Sequence, residues 1–238
     1  MTSLGALNEL APTLSFEPAL SAALGEQSAS IICADHAWGL LLAGLAQRTD
    51  DEIVVVATPT GMMAGQLCDD LLAFLPERDV ALFPAWETLP HERLSPRSDT
   101  VARRLSTLYS LTEEQNNPIV VAPIRAVIHR FIADLAHTPM WTLEIGQEIA
   151  LTDLAEHLTS LSFTRTDLVE KRGEFAVRGG IVDIFLPLAA HPVRIDFFGD
   201  EIEELSFFDV SDQRTTSPVV GKLSILPCRE LLLTDAIR

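Results

Sequence analysis

Ile53-Val54-Val55-Val56-Ala57-Thr58-Pro59-Thr60-Gly61, followed by Met63, Leu67, Leu71 and Leu75, decides the fold class. The first five residues are apolar on both faces, the pattern of a strand covered by helices on each side. The residues after Thr60 recur at helical spacing and stop at Pro76, so the stretch reads as strand, turn and core-facing helix. Ile119-Val120-Val121-Ala122 repeats the strand pattern, and Ser30 to Ala34 and Val80 to Phe83 supply two shorter runs. Between Ser28 and about His137 such runs alternate with helical patterns, which predicts β-α-β units and a largely parallel sheet with residues 53–58 and 119–122 as its central strands. A further helix is expected from about Ser98, with Val101, Leu105 and Leu108 on one face and Arg103 and Arg104 flanking it. The connector Phe83-Pro84-Ala85-Trp86-Glu87-Thr88-Leu89-Pro90-His91-Glu92 is punctuated by proline, and its apolar side chains are expected to pin it to this first domain.

The pattern changes after His137. A strand from Trp141, a helix with Asp153 and Glu156 in capping-box spacing and Leu154, Leu158 and Leu161 on one face, then a run of hairpins predict a second, α+β domain. His191 to Asp200 alternates strictly: Val193, Ile195 and Phe197 point one way, Arg194, Asp196 and Phe198 the other. Gly199-Asp200 makes the turn and Ile202 to Asp209 the partner strand. The wholly apolar triplet claims the core, leaving Arg194, Asp196 and Phe198 on the other surface.

At 238 residues and 47% hydrophobic the chain can bury the cores of two modest domains. A formal charge of -17, from 34 acids and 17 bases, opposes a polyanionic partner unless the bases gather on one face. Cys33, Cys68 and Cys228 lie outside any C-x-x-C spacing, which argues against a disulfide framework or a structural zinc and fits a reducing cytoplasm. No signal peptide or stretch of about 20 apolar residues is present, so a soluble protein is expected.

A P-loop hydrolase needs a glycine-rich turn, a lysine and a Ser or Thr after its first strand, so that N–H groups and an ammonium surround the phosphates. Here that place reads Cys33-Ala34-Asp35-His36-Ala37-Trp38-Gly39-Leu40, and the only lysines are Lys171 and Lys222. The phosphate site is missing. Thr58-Pro59-Thr60-Gly61 reads as a strand-to-helix turn before it reads as a phosphate turn. Neither the six histidines nor the pairs Asp69-Asp70 and Glu203-Glu204 have the spacing of metal ligands or of an acid-base dyad. No catalytic residue, cofactor site or metal site is assigned. Three residues stand out instead. Arg178 precedes Gly179-Gly180, which permit unusual backbone angles or the close approach of another chain. Arg194 and Phe198 share the non-core face of the hairpin, and arginines and aromatics often dominate protein interfaces.

The strings Phe83-Pro84-Ala85-Trp86-Glu87-Thr88-Leu89-Pro90, Arg103-Arg104-Leu105-Ser106-Thr107-Leu108, Gly173-Glu174-Phe175-Ala176-Val177-Arg178-Gly179 through Asp183-Ile184-Phe185, and Arg194-Ile195-Asp196-Phe197-Phe198-Gly199-Asp200-Glu201 occur in this order. Together they resemble the N-terminal part of the bacterial transcription-repair coupling factor family (Mfd), over nearly the whole chain beyond about residue 28. The R-G-x-x-x-D-I-F and F-F-G-D-E-I-E strings are shared with the excision-repair helicase UvrB, whose corresponding domain binds UvrA. UvrB keeps a working P-loop, so the lysine-free first domain favours the coupling factors.

The resemblance implies a degenerate P-loop (RecA-like) α/β parallel-sheet domain at 1–138, a smaller α+β UvrA-binding domain at 139–226, and the start of a return segment at 227–238. Carried over residue by residue, the UvrA contacts fall on Arg178, Arg194 and Phe198. It further implies a cytoplasmic protein with motor and polymerase-binding domains beyond residue 238. Those would use ATP and Mg to translocate on double-stranded DNA, displace stalled RNA polymerase and mask the UvrA site until the motor engages. A UvrB-like ATP-dependent helicase is the rival reading, and direct DNA binding by the module a third.

Overall fold

The computed structural model describes residues 18, 22, 25, 28–49, 52–89, 92, 94–113, 117–131, 135 and 140–231. The chain divides into two compact units, 1–85 with 107–130 and 86–106 with 131–238. Set against the expected 1–138, 139–226 and 227–238, the described residues 86–89, 92, 94–106, 131, 135 and 227–231 group with the second unit.

In the first unit, helix α1 (Trp38–Ala46) precedes strand β1 (Val54–Thr58), helix α2 (Gly61–Phe74) and strand β2 (Val80–Leu82). Helix α3 (Ser98–Ser110), within which the division falls, is followed by strand β3 (Ile119–Pro123) and the short helix α4 (Ile124–Val127). The sheet is parallel, in the order β1-β3-β2, with Val54 beside Ile119 and Val80 also beside Ile119. All five residues of β3 are buried, as its apolar run predicts for a central strand. Two expectations fail. Residues 30–34 are not a strand; they lead into a 3-10 turn at Asp35–Ala37 and then α1. Among the described residues β1 is an edge strand, not a central one: Val54 and Val56 pack against the cluster of Ala43, Ala46, Cys68 and Leu71, whereas Val55 is 62% exposed. The helices α1 and α2 both contribute to that one cluster, so among the described residues the all-apolar run has one covered face.

Helix α2 starts as expected: the Thr60 hydroxyl accepts a hydrogen bond from the Met63 N–H at 3.2 Å, and the Thr58 hydroxyl donates to the Thr60 carbonyl at 3.0 Å. Thr58 to Gly61 is a strand-to-helix turn. The buried stripe is Ala64, Cys68, Leu71 and Leu75, and Met63 is exposed. A Cβ on Gly39 would stand 2.7 Å from the Asp70 Cβ, so the absence of a side chain there lets α1 and α2 approach.

In the second unit, strand β4 (Trp141–Leu143) and helix α5 (Leu151–Ser160) precede β5 (Thr164–Arg165), β6 (Glu174–Arg178), β7 (Ile181–Ile184), β8 (Val193–Phe198), β9 (Glu201–Phe208), β10 (Thr215–Pro218) and β11 (Leu223–Ile225). Six strands form one sheet in the order β10-β9-β8-β7-β6-β5, antiparallel except for β5 beside β6, and β11 pairs with β4. Leu154, Leu158 and Leu161 join Phe175, Val182, Ile184, Val193, Ile195, Ile202 and Leu205 in the main core, as the periodicities predict. The capping box does not form: α5 begins three residues earlier than Asp153 would require, with Ala150 as a cap that makes no side-chain bond. A bulge in β9 explains why Ile202 and Leu205, three residues apart, both face the core. Asp196 lies opposite Glu204 but Phe197 opposite Ile202, which leaves one extra residue on β9 and reverses its alternation.

Arg104, expected to flank α3, is fully buried. Its Nε donates to Glu230, which also accepts from the Trp86 indole N–H at 2.9 Å. The connector residue Trp86 is thus held by an acid of the second unit, because a half-buried indole and a buried guanidinium both need an acceptor.

Candidate functional site

Arg178 ends β6, Arg194 sits near the start of β8, and Phe198 ends β8. Antiparallel pairing sets Ala176 opposite Asp183, Asp183 opposite Arg194 and Arg194 opposite Ser206, so these residues form one row across four strands on the side away from the main core. The next row carries Arg178, Ile181, Asp196 and Glu204.

This side is not the bare surface that the alternation predicts. Val169, Ala176, Phe185 and Phe208 form a second, smaller cluster on it, with Val210 packed alongside. Arg194 lies over the Phe208 ring, 4.9 Å from its centroid. Its Nε and Nη2 donate to the two oxygens of Asp183 at 2.7 and 3.0 Å, and its Nη1 donates to the Gln213 carbonyl at 3.2 Å. The Asp183 hydrogen bond, outweighing burial, raises the Arg194 pKa still further. Only 16% of the Arg194 side chain is exposed.

Asp183 is fully buried and accepts a third N–H, from Arg178 Nη2. The Arg178 side chain is 44% exposed and Phe198 is 76% exposed. The two come to the same end of the sheet through the turn between β6 and β7. Gly179 has φ +61, and the Gly180 carbonyl accepts from the Phe197 N–H at 2.9 Å, where a Cβ on Gly180 would stand 3.3 Å from the Phe197 carbonyl oxygen. The close approach that these glycines allow is to their own chain. Asp196, in the row of Arg178, has its pKa raised by burial, with Arg194 opposing and Glu204, Asp183 and Glu203 adding to the rise.

The sequence reading singled out Arg178, Arg194 and Phe198 but passed over Asp183, which joins two of them. The available signal was one acid inside the apolar run Ile181-Val182-Asp183-Ile184-Phe185, since a charge in such a strand requires a partner.

In the first unit a cleft of about 750 Å³ opens among Asp35, Trp38, Leu42, Met63, Leu67 and Asp70. Its lining is mostly apolar, with the two carboxylates, His36, Thr58 and Gln66 as its polar members. Among the described residues no group of three or more His, Cys, Asp or Glu could hold a metal ion, no helix is long and apolar enough to cross a membrane, and no disulfide joins the three cysteines.

Residues 141–231 match the family described as the UvrB interaction domain. Over its full length the chain is 40% identical to the transcription-repair-coupling factor of Mycobacterium tuberculosis, covering 20% of that protein. It is 34% identical over 80% of its length to that of Escherichia coli and 32% over 80% to that of Bacillus subtilis, covering 16% of each. The chain thus spans a fifth or less of the length of these relatives.

Proposed function

We propose, from the premise that this chain belongs with the transcription-repair-coupling factors and carries their UvrB interaction domain at residues 141–231, that it is a non-catalytic module that recruits UvrA for transcription-coupled nucleotide excision repair. The observation that carries this reading is the domain match. It is supported by an exposed aromatic, Phe198, and a half-exposed guanidinium, Arg178, at one end of the six-stranded sheet. Arg178, Arg194 and Phe198 form the docking face.

The first unit is a degenerate P-loop domain in this reading. No lysine precedes Lys171, and the Asp35 and Asp70 carboxylates in its cleft repel the phosphates of ATP, which supports a first unit without a working ATP site. In the whole protein, further domains hydrolyse ATP with Mg to translocate on double-stranded DNA and displace stalled RNA polymerase, in the cytoplasm.

Titrating the 238-residue chain with UvrA tests the proposal. Phe198→Ala and Arg178→Ala should each weaken binding about tenfold or more, Phe198→Ala while unfolding like the parent and Arg178→Ala while remaining folded. Equal affinity of parent and folded double variant would remove UvrA docking from this face. Saturable ATP binding by the chain would favour the UvrB-like helicase reading, and DNA retention that falls steeply with salt would favour direct DNA binding.

A further inference from the structure

Three N–H groups converge on the one buried carboxylate of Asp183, two from Arg194 and one from Arg178. The two arginines are not equivalent. Arg194 meets both oxygens with a fork, adds a bond to the Gln213 carbonyl and lies over Phe208, so most of its donors and one face of its guanidinium are already engaged inside the sheet. Arg178 gives Asp183 one donor and keeps nearly half its side chain in solvent. One carboxylate against two guanidinium groups leaves one positive charge over, and the exposure places that surplus on Arg178. Around it the surface is acidic, with Asp196 and Glu204 in its own row and Glu201 opposite Phe198.

We propose that Asp183 is the positioning residue of the docking face. It takes Arg194 as its bidentate, largely buried partner and holds Arg178 by a single arm at the same end of the sheet as Phe198. Arg178 and Phe198 then touch the partner, and Arg194 acts through Asp183. The group that Arg178 receives is an anion on the partner, a carboxylate presented next to an apolar pocket that takes the Phe198 ring. This inference rests on the docking role of the face.

A binding cycle with UvrA separates the two. In the parent, Arg178→Ala is expected to weaken binding about tenfold or more. In an Asp183→Asn background, which keeps the shape of the side chain but loses its charge, the same substitution should change binding by less than about threefold, because Arg178 is no longer held. A purely structural Asp183 would lower stability and leave the Arg178→Ala effect at its full size; that additivity would overturn the positioning role. If Phe198→Ala and Arg178→Ala both bind UvrA like the parent, the docking role of the face falls first.

Should Asp183→Asn not fold, arginine-specific labelling of the unmodified chain decides the matter by mass spectrometry. Arg178 is expected to react faster than Arg194 and to be protected when UvrA is added. Equal reactivity of the two, or protection of Arg194 alone, would refute the assignment.

Discussion

The two faces of the six-stranded sheet come from the same strands, yet one is closed by apolar side chains alone and the other by a mixture of aromatics and paired charge. On the first, Phe175, Val182, Ile184, Val193, Ile195, Ile202 and Leu205 meet Leu154 and Leu158 of α5. On the second, a cluster of Phe208, Ala176, Val169 and Phe185 shares the face with a buried carboxylate that two arginines satisfy. An apolar face holds itself together without direction, since its stabilisation scales with the area removed from water. A buried carboxylate is tolerable only with its partners in place, and so it fixes where those partners stand. The second face therefore contributes less to stability per residue and more to the placement of particular side chains.

The largest effect should come from the first face. Phe175→Ala leaves a cavity in the main core and is expected to cost about 3 to 5 kcal/mol in denaturant unfolding. A loss under about 1 kcal/mol would mean that this face is not the one that holds the domain together. Next is Arg194→Ala, which strips Asp183 of its fork but leaves Arg178 beside it. A cost of about 2 kcal/mol is expected, below the cost of a wholly unpaired buried charge. An unchanged unfolding midpoint would show that Asp183 needs no partner and would erase the contrast between the faces.

Asp196 sharpens the comparison through pH. Its pKa is raised in the folded state, so folding binds protons, and stability falls as pH rises from the ordinary carboxylate value to the raised one. Asp196→Asn should be more stable than the parent at neutral pH, by less than about 1 kcal/mol because solvent screens the site. The gain should vanish in unfolding curves taken below the usual carboxylate range; a gain that persists there would assign it to packing. The smallest stability change belongs to Phe198→Ala, within about 0.5 kcal/mol, since the ring is mostly in water. A larger loss would place Phe198 in the fold and weaken its role as a docking residue.

Much of this architecture was legible because it is written in local periods. The alternation of Val193, Ile195 and Phe197, the spacing of Leu154, Leu158 and Leu161, and the apolar run at Ile119 each report a buried face within a few residues of chain. The errors have non-local causes. Residues 53–57 look like those of a central strand, but their place at the edge of the sheet of described residues depends on which strand lies beside them, and Val55 is exposed there. Arg104 reads as a surface arginine on α3 because its acceptor, Glu230, is 126 residues away.

The sequence by itself determined the two-part organisation, the lack of any lysine before Lys171, the apolar faces of α5 and β8, and the three side chains singled out as a candidate docking face. Only the tertiary structure decided that Arg194 is turned inward onto Asp183, that Arg178 and Phe198 are the ones left in solvent, and that a bulge in β9 returns Leu205 to the core. The reason is physical: burial patterns are set by the side chains that a short segment carries, whereas a charge finds its partner across strands, through a register that the segment alone does not contain.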